Sequence, residues 1–331
     1  MVEASGASGG EQRLRLVFCG TPQFAVPSLK LLLVQPDFEI AAVFTQPDRP
    51  RGRGQEIAIS PVKEVALAAN IPVHQPAKIR APEIEAQLRE IAPDVIVIIA
   101  YGQIIPARLL NIPRFGWINL HASLLPKYRG AAPIHWAIAS GETRTGNTTM
   151  RIDAGMDTGE MLLQQELAIG PDEATPEVSA RLSEAGGPLM VETLRGLRAG
   201  TLHGRLQNHA EASLAPILKR EDGRVDWRRP ATEIYNRMRG FTPWPGAYTE
   251  FRGQTCHIQG NPASKDLRGE LKGTQKDLEP GTLLAELDQL NVVCGSGSVF
   301  SVSSVKLEGR KQVPTAEFLR GARLQSGERF I

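Results

Sequence analysis

The chain has 331 residues, enough for one large or two ordinary domains with a sizeable buried core. Hydrophobic residues make up 41% and charged residues 22%, which excludes a disordered chain, and no run of about 18 apolar residues suggests a membrane span. The net charge of +2 decides nothing about nucleic acid; its distribution is mildly uneven, with 18 Lys+Arg against 14 Asp+Glu from residue 219 onward and 20 against 22 before it.

In chain order, residues 1–12 are small and polar and read as a disordered tail. They lack both the apolar stretch of a secretion signal and the Arg-rich character of a transit peptide, which fits a bacterial cytoplasmic protein. Leu14–Cys19 predicts a strand, Val26–Val34 a helix and Ile40–Phe44 a second strand. Pro61–Ala69 and Pro82–Ile91 predict helices. Asp94–Ala100 is a nearly unbroken β-branched run, the pattern of a central strand buried on both faces. Phe115–Leu120 is the next strand. Strands alternating with helices predict an α/β domain with a parallel, Rossmann-like sheet. Thr149–Asp153 and Met161–Ala168 predict an antiparallel pair around Asp157, where Gly155 and Gly159 permit a tight turn. Thr175–Leu197 predicts a long helix. Residues 201–218 are polar and aperiodic, a linker. Beyond them Pro230–Met238 predicts a helix, and Val292–Cys294 and Val299–Val305 predict strands of a small β domain. The expected organisation is a tail (1–12), a first domain (13–200), a linker (201–218) and a second domain (219–331).

Parallel sheets bind ligands outside the carboxyl ends of their strands. Ala100-Tyr101-Gly102 and Asn119-Leu120-His121 end two such strands and can line one crevice. Gly20-Thr-Pro-Gln-Phe-Ala25 is not the glycine fingerprint of a dinucleotide enzyme, which argues against nicotinamide chemistry. Alternation along a strand puts Asn119 and His121 on one face. With Asp157 they would supply an amide donor for an oxyanion, an imidazole for protons and a carboxylate. Taken singly, an Asn or His at a strand end is usually a satisfied structural residue. Ser123-Leu124-Leu125-Pro126 alone reads as a turn. Arg49, Arg51 and Arg53, interleaved with Pro and Gly, alone read as a solvated loop. Cys19, Cys256 and Cys294 lie far apart, and neither they nor the histidines have ligand spacing, so no metal is expected. Trp136, Trp227 and Trp244 read as core or interface residues.

These residues stand in longer runs. Ile118-Asn-Leu-His-Ala-Ser-Leu-Leu-Pro-Lys-Tyr-Arg-Gly-Ala-Ala-Pro-Ile-His-Trp136, with Asp153-Ala-Gly-Met-Asp-Thr-Gly159, resembles the signature of the formyltetrahydrofolate-dependent formyltransferases. Phe18–Ala25, Thr45–Gly54, Gly223–Trp227 and Arg239–Ala247 resemble the branch of that family that acts on methionyl-tRNA, and the likeness runs from about Leu14 to Phe330.

The resemblance implies 10-formyltetrahydrofolate as formyl donor, initiator methionyl-tRNA as acceptor, no metal and a monomer. It implies a catalytic set of Asn119, His121 and Asp157, with Asp157 either orienting the imidazole or relaying protons. It places Ser123, Leu124, Leu125 and Pro126 beside the folate, and strand-end position adds Tyr101, Gly102 and Gln103. It sets the Arg49–Arg51–Arg53 loop against the tRNA acceptor stem, with Arg53 foremost. It implies an OB-like β-barrel for the second domain. A formyltransferase for an amino-sugar nucleotide and a formyltetrahydrofolate hydrolase share the chemistry and are the alternatives. A purine-pathway formyltransferase fits less well, because it ends near the catalytic domain. A non-catalytic tRNA-binding protein would lack one of the three polar residues.

Overall fold

The computed structural model describes residues 13–51, 56–263 and 278–331, with Arg51, Glu56 and Ile57 described by backbone alone. The expected tail therefore lies outside the described residues. The elements are β1 (Leu14–Gly20), α1 (Val26–Leu33), β2 (Phe38–Phe44), β3 (Arg49–Arg51), β4 (Glu56–Ala58), α2 (Pro61–Ala68), β5 (Val73–His74) and α3 (Pro82–Ile91). Next come β6 (Val95–Ile99), α4 (Ala107–Leu110), β7 (Trp117–His121), α5 (Pro133–Ala139), β8 (Arg144–Arg151), β9 (Met161–Ala168) and α6 (Thr175–Ala199). The chain closes with α7 (Ala231–Gly240), β10 (Tyr248–Phe251), β11 (Gln254–Pro262), β12 (Leu283–Glu286), β13 (Gln289–Val293), β14 (Val299–Leu307), β15 (Val313–Pro314) and α8 (Thr315–Ala322). No helix among the described residues is long and apolar enough to cross a membrane.

The first sheet runs β5-β2-β1-β6-β7-β8-β9. Its pairs from β5 to β7 are parallel, and β8 is antiparallel to β7. β9 follows: Arg151 N donates to Glu160 O at 2.9 Å, and Leu163 N donates to Thr149 Oγ1 at 3.1 Å. The partner's number rises as the strand's own falls, the antiparallel pair expected around Asp157. All five residues of β6 are buried. Val95, Val97 and Ile99 enter a cluster with α1 and α6 residues, and Ile96 and Ile98 enter one with Ile84 and Leu88 of α3. At about 1.5–3 kcal/mol per fully buried aliphatic side chain, such a strand is stabilised from both faces.

Local chemistry sets the helix boundaries. Ser60 caps α2, its hydroxyl accepting from Lys63 N at 3.1 Å, and Pro61 occupies the first turn, where its missing N–H costs nothing. α3 begins on Pro82 and stops at Ala92, which is left-handed at φ +50°. Gly186 of α6 faces Leu120 of β7 so closely that a Cβ there would sit 2.3 Å from Leu120 Cδ2.

The second sheet is antiparallel, in the order β10-β11-β14-β13-β12 with β15 beside β14. Its strands alternate: Cys256, Ile258 and Gly260 of β11 are buried and Gln254, His257, Gln259 and Asn261 are exposed. The buried face encloses Trp227, which stacks on Phe330 at 5.7 Å and meets Phe300 edge-on at 6.1 Å. Its indole N–H donates to Thr249 Oγ1 at 3.1 Å.

By contacts the chain forms two compact units. One holds the described part of Met1–Gly130 with Gly146–Leu167 and Ser179–Leu214; the other holds Ala131–Thr145, Ala168–Val178 and Ala215–Ile331. Two short segments, one carrying α5, thus join the second unit across the chain order, which a linear reading does not anticipate. Within that unit Trp136 meets Phe241 edge-on at 5.3 Å. Trp244, expected in a core or interface, is 54% exposed. It sits on a turn closed by Gly246 N donating to Phe241 O at 2.9 Å, which turns the indole outward.

Candidate active site

Four parallel strands, β2, β1, β6 and β7, deliver their carboxyl ends to one edge of the first sheet. Hydrogen bonds stitch three of those ends together. Tyr101 O accepts from Gln46 Nε2 at 3.0 Å and from Thr21 Oγ1 at 3.3 Å, and Thr21 Oγ1 in turn accepts from Gln46 N at 3.3 Å. Ala100 and Gly102 take positive φ, which turns the chain away from the strand axis.

On β7, Asn119 pairs with Ile98 of β6 and Met150 of β8. Trp117, on the same face two residues earlier, packs in the α3-side cluster, so Asn119 and His121 face that side as alternation predicts. Asn119 is half-buried, and its side-chain amide makes no hydrogen bond to another described residue.

His121 is buried, with Nε2 2.9 Å from the main-chain oxygen of Tyr128. A carbonyl can only accept, so Nε2 carries the proton. Nδ1 is then the ring position open to proton exchange, and it faces Asp157 Oδ2 at 3.7 Å. That separation exceeds a hydrogen bond, so the pair is aligned but not joined. The same carboxylate oxygen accepts from Gly130 N at 2.8 Å.

Asp157 itself is left-handed, at φ +52°. The flanking glycines admit the tight turn through space and not through a positive φ. Gly155 and Gly159 are not the positive-φ residues; they are needed because something else occupies the space. A Cβ on Gly159 would lie 1.9 Å from Arg151 O, and one on Gly155 would lie 2.0 Å from Thr158 Oγ1.

Ser123–Pro126 forms a tight loop directly after β7. Ser123 Oγ donates to Lys127 O at 2.7 Å, and Thr148 Oγ1 donates to Ser123 O at 2.7 Å while accepting from Leu125 N at 3.2 Å. Leu125 is buried against Met150 and Met161. Ser123 and Leu125 thus hold the loop together, and Leu124 and Pro126 are its half-exposed members.

At the neighbouring strand end, the Tyr101 ring lies in the core and its hydroxyl has no hydrogen-bond partner among the described residues. Burial, with Cys19 nearby, pushes its pKa well above the usual tyrosine range, so it stays neutral. Gln103 is tied down, its Oε1 accepting from Ile79 N at 2.6 Å and its Nε2 donating to Pro76 O at 3.2 Å. Gly102 is the exposed residue of the three.

The Arg-rich segment is a β-ribbon, with β3 and β4 paired through Arg49–Ala58 and Arg51–Glu56. Arg49 is exposed. The side chain of Arg51 and all of Arg53 lie outside the described residues. Asp48, just before the ribbon, is ion-paired to Lys63, and Gln75 Nε2 donates to Asp48 Oδ1 at 2.8 Å and to Gln46 O at 2.9 Å. The Lys63 ammonium, then the Gln75 amide, hold the Asp48 pKa below its ordinary value.

Several residues at this site escape sequence reasoning. The Tyr128 carbonyl that fixes the His121 tautomer is a main-chain group, and nothing in a side-chain pattern announces it. Arg129 and Gln207, both buried, sit in segments that read as loop and linker.

Two family models match the chain: formyl transferase over residues 14–194, and the formyl transferase C-terminal domain over residues 217–323. A methionyl-tRNA formyltransferase of Acidobacterium capsulatum is 53% identical over 309 residues, covering 93% of this chain and 96% of the relative. One from Koribacter versatilis is 51% identical over 316 residues, covering 95% and 98%. Among solved structures, the sugar 3N-formyl transferase WlaRD, crystallised with dTDP and 5-N-formyl-THF, superposes with a TM-score of 0.63 at 17% identity. That match covers 91% of this chain and 100% of WlaRD, and at such identity it speaks for the fold. The chain belongs to the formyl transferase family, in the branch of the methionyl-tRNA formyltransferases.

Proposed function

We propose that this protein transfers the formyl group of 10-formyltetrahydrofolate to the α-amine of methionine on initiator tRNA, acting as a monomer in the cytoplasm. The observation that carries the chemistry is the arrangement at the end of β7. Asn119, whose amide has no partner among the described residues, shares a strand face with an imidazole whose one open nitrogen faces Asp157. The near-full-length likeness to methionyl-tRNA formyltransferases supports the acceptor.

The amine attacks the formyl carbon and forms a C–N bond, and the carbonyl electrons move onto oxygen. Asn119 donates its side-chain N–H to that oxyanion, and a donor already aimed at the developing charge needs no reorganisation. Collapse re-forms the carbonyl and breaks the bond to N10 of the folate. The attacking amine gives up one proton and N10 takes one, so a proton must cross the site. Nδ1 of His121 is the position for it, since Nε2 is committed to the Tyr128 carbonyl. Asp157 faces that nitrogen and exchanges the proton with it or stabilises the imidazolium. Ser123–Pro126 and Tyr101–Gln103 border the folate, with Leu124, Pro126 and the Gly102 backbone as the contacting groups. Arg49, Arg51 and Arg53 meet the tRNA phosphates.

Single-turnover formyl transfer tests the reading, comparing initiator methionyl-tRNA with a UDP-amino-sugar as acceptors of the formyl group of 10-formyltetrahydrofolate. Rapid formylation of the tRNA alone is expected. Formylation of the sugar alone, or free formate with neither product, would overturn it.

A further inference from the structure

The proton chemistry above depends on two distances that no secondary-structure element sets. The Tyr128 carbonyl must sit on Nε2, and the Asp157 carboxylate must sit opposite Nδ1. Both groups lie on loops, and both residues are left-handed, at φ +60° and φ +52°. Left-handed backbone at a non-glycine residue crowds Cβ against the carbonyl oxygen, so something must hold it there.

One short segment, residues 205–213, reaches both loops. Gln207 Nε2 donates to Asp157 O and to Gly159 O, each at 2.8 Å, so one amide satisfies two carbonyls of the strained turn. Its Oε1 accepts from Arg129 Nε at 3.0 Å and Nη2 at 2.6 Å. The amide therefore cannot flip without facing a guanidinium with donors. Arg129 and Gln207 are 6% and 5% exposed, and in so dry a place an unmade bond is not replaced by one to water. Six residues on, Ser213 grips the other loop: its hydroxyl accepts from Tyr128 N at 2.9 Å and its carbonyl accepts from Arg129 N at 2.8 Å. The start of the segment is fixed too, with Arg205 and Met161 exchanging main-chain bonds at 2.8 and 2.9 Å.

We infer that residues 205–213 are a clasp that sets the geometry of the His121–Asp157 pair, with Gln207 and Ser213 as positioning residues for the transfer reaction. The inference rests on the roles of His121 and Asp157 given under the proposed function. Gln207 holds the carboxylate loop and Ser213 holds the carbonyl that keeps the imidazole in its Nε2–H tautomer. Arg129 couples the two, because it bonds Gln207 through its side chain and Ser213 through its backbone.

Gln207→Glu tests it, because the variant keeps an acceptor for Arg129 and removes both N–H donors to the Asp157 turn. Turnover should fall about 100-fold, the cost of an ångström-scale misplacement. KM for folate and for tRNA should stay within about twofold, because the Gln207 side chain is buried and its bonds go to Arg129 and the Asp157 turn. The Nδ1 resonance of the His121 ring, read by long-range ¹⁵N–¹H correlation in the full chain, should move. Ser213→Ala, which spares the Ser213 main-chain bond, should lower turnover about tenfold and shift the pH–rate profile; it carries the test if Gln207→Glu loses its cooperative melt. Folded variants with wild-type turnover and an unmoved ring resonance overturn the inference, as does a rise in KM matching the fall in turnover. Wild-type protein that formylates no methionyl-tRNA instead sinks the functional reading, and the ring resonance then judges the clasp by itself.

Discussion

The two sheets handle the same problem, a buried hydrophobic face, in different ways. β6 at the centre of the parallel sheet is buried at every residue, whereas β11 of the antiparallel sheet is buried at every second one. The cause is the connection. Parallel neighbours need a crossover, the crossovers lay helices on both faces, and no strand face is left for water. Antiparallel strands joined by turns can leave one face wet. The parallel arrangement also gathers four strand ends at one edge, and Asn119 and His121 stand there. An antiparallel sheet sends neighbouring strand ends in opposite directions, and its buried face closes over an aromatic core around Trp227 instead.

The comparison can be tested from the largest expected effect downward. Trp227→Ala should remove about 3–5 kcal/mol from the stability of the second unit, measured as a fall in denaturant midpoint. Substitution of Asn119, by contrast, should leave the melt near wild type, because its amide bonds no described residue. Turnover of Asn119→Ala with folate saturating should drop about 10²–10³-fold. Retained turnover would remove the amide from the chemistry. A strand scan sharpens the contrast: Ile96→Val, Ile98→Val and Ile99→Val should each cost about 0.5–1.5 kcal/mol, with no neutral position along β6. On β11 the exposed Gln259→Thr should stay within about 0.5 kcal/mol.

Another small effect belongs to the Arg-ribbon anchor. Because Lys63 and Gln75 depress the Asp48 pKa in the folded state, their stabilisation is fully present above the ordinary aspartate pKa and fades as pH falls through the folded value. Lys63→Met should therefore lower stability by about 1 kcal/mol or less at neutral pH. That difference should shrink once the pH drops below the aspartate range. A gap that persists in acid would mean that Lys63 acts through packing instead.

Much of this was legible in the chain before any coordinates. The unbroken Val95–Ile99 run needs burial on both faces, and period-2 spacing alone puts Asn119 and His121 on one side of β7. The runs Ile118–Trp136 and Asp153–Gly159 pointed to the family, because an amide, an imidazole and a carboxylate are side chains and side chains are what a sequence lists. The structure sets Asp157 opposite His121, but the sequence carries no sign that Asp157 itself is left-handed or that Gly159 admits the Arg151 carbonyl.

What the residues alone determined is thus local: propensity, alternation, caps and the identity of the polar groups, all of which depend on neighbours a few positions away. Only the tertiary structure decided which tautomer His121 holds, since that depends on a main-chain oxygen of Tyr128 seven residues on. Only it decided that Gln207, in a stretch that reads as a linker, lies buried against the Asp157 turn 50 positions away. A hydrogen bond acts over about 3 Å in space and is blind to distance along the chain, so its partner becomes visible only when the fold has brought the two together.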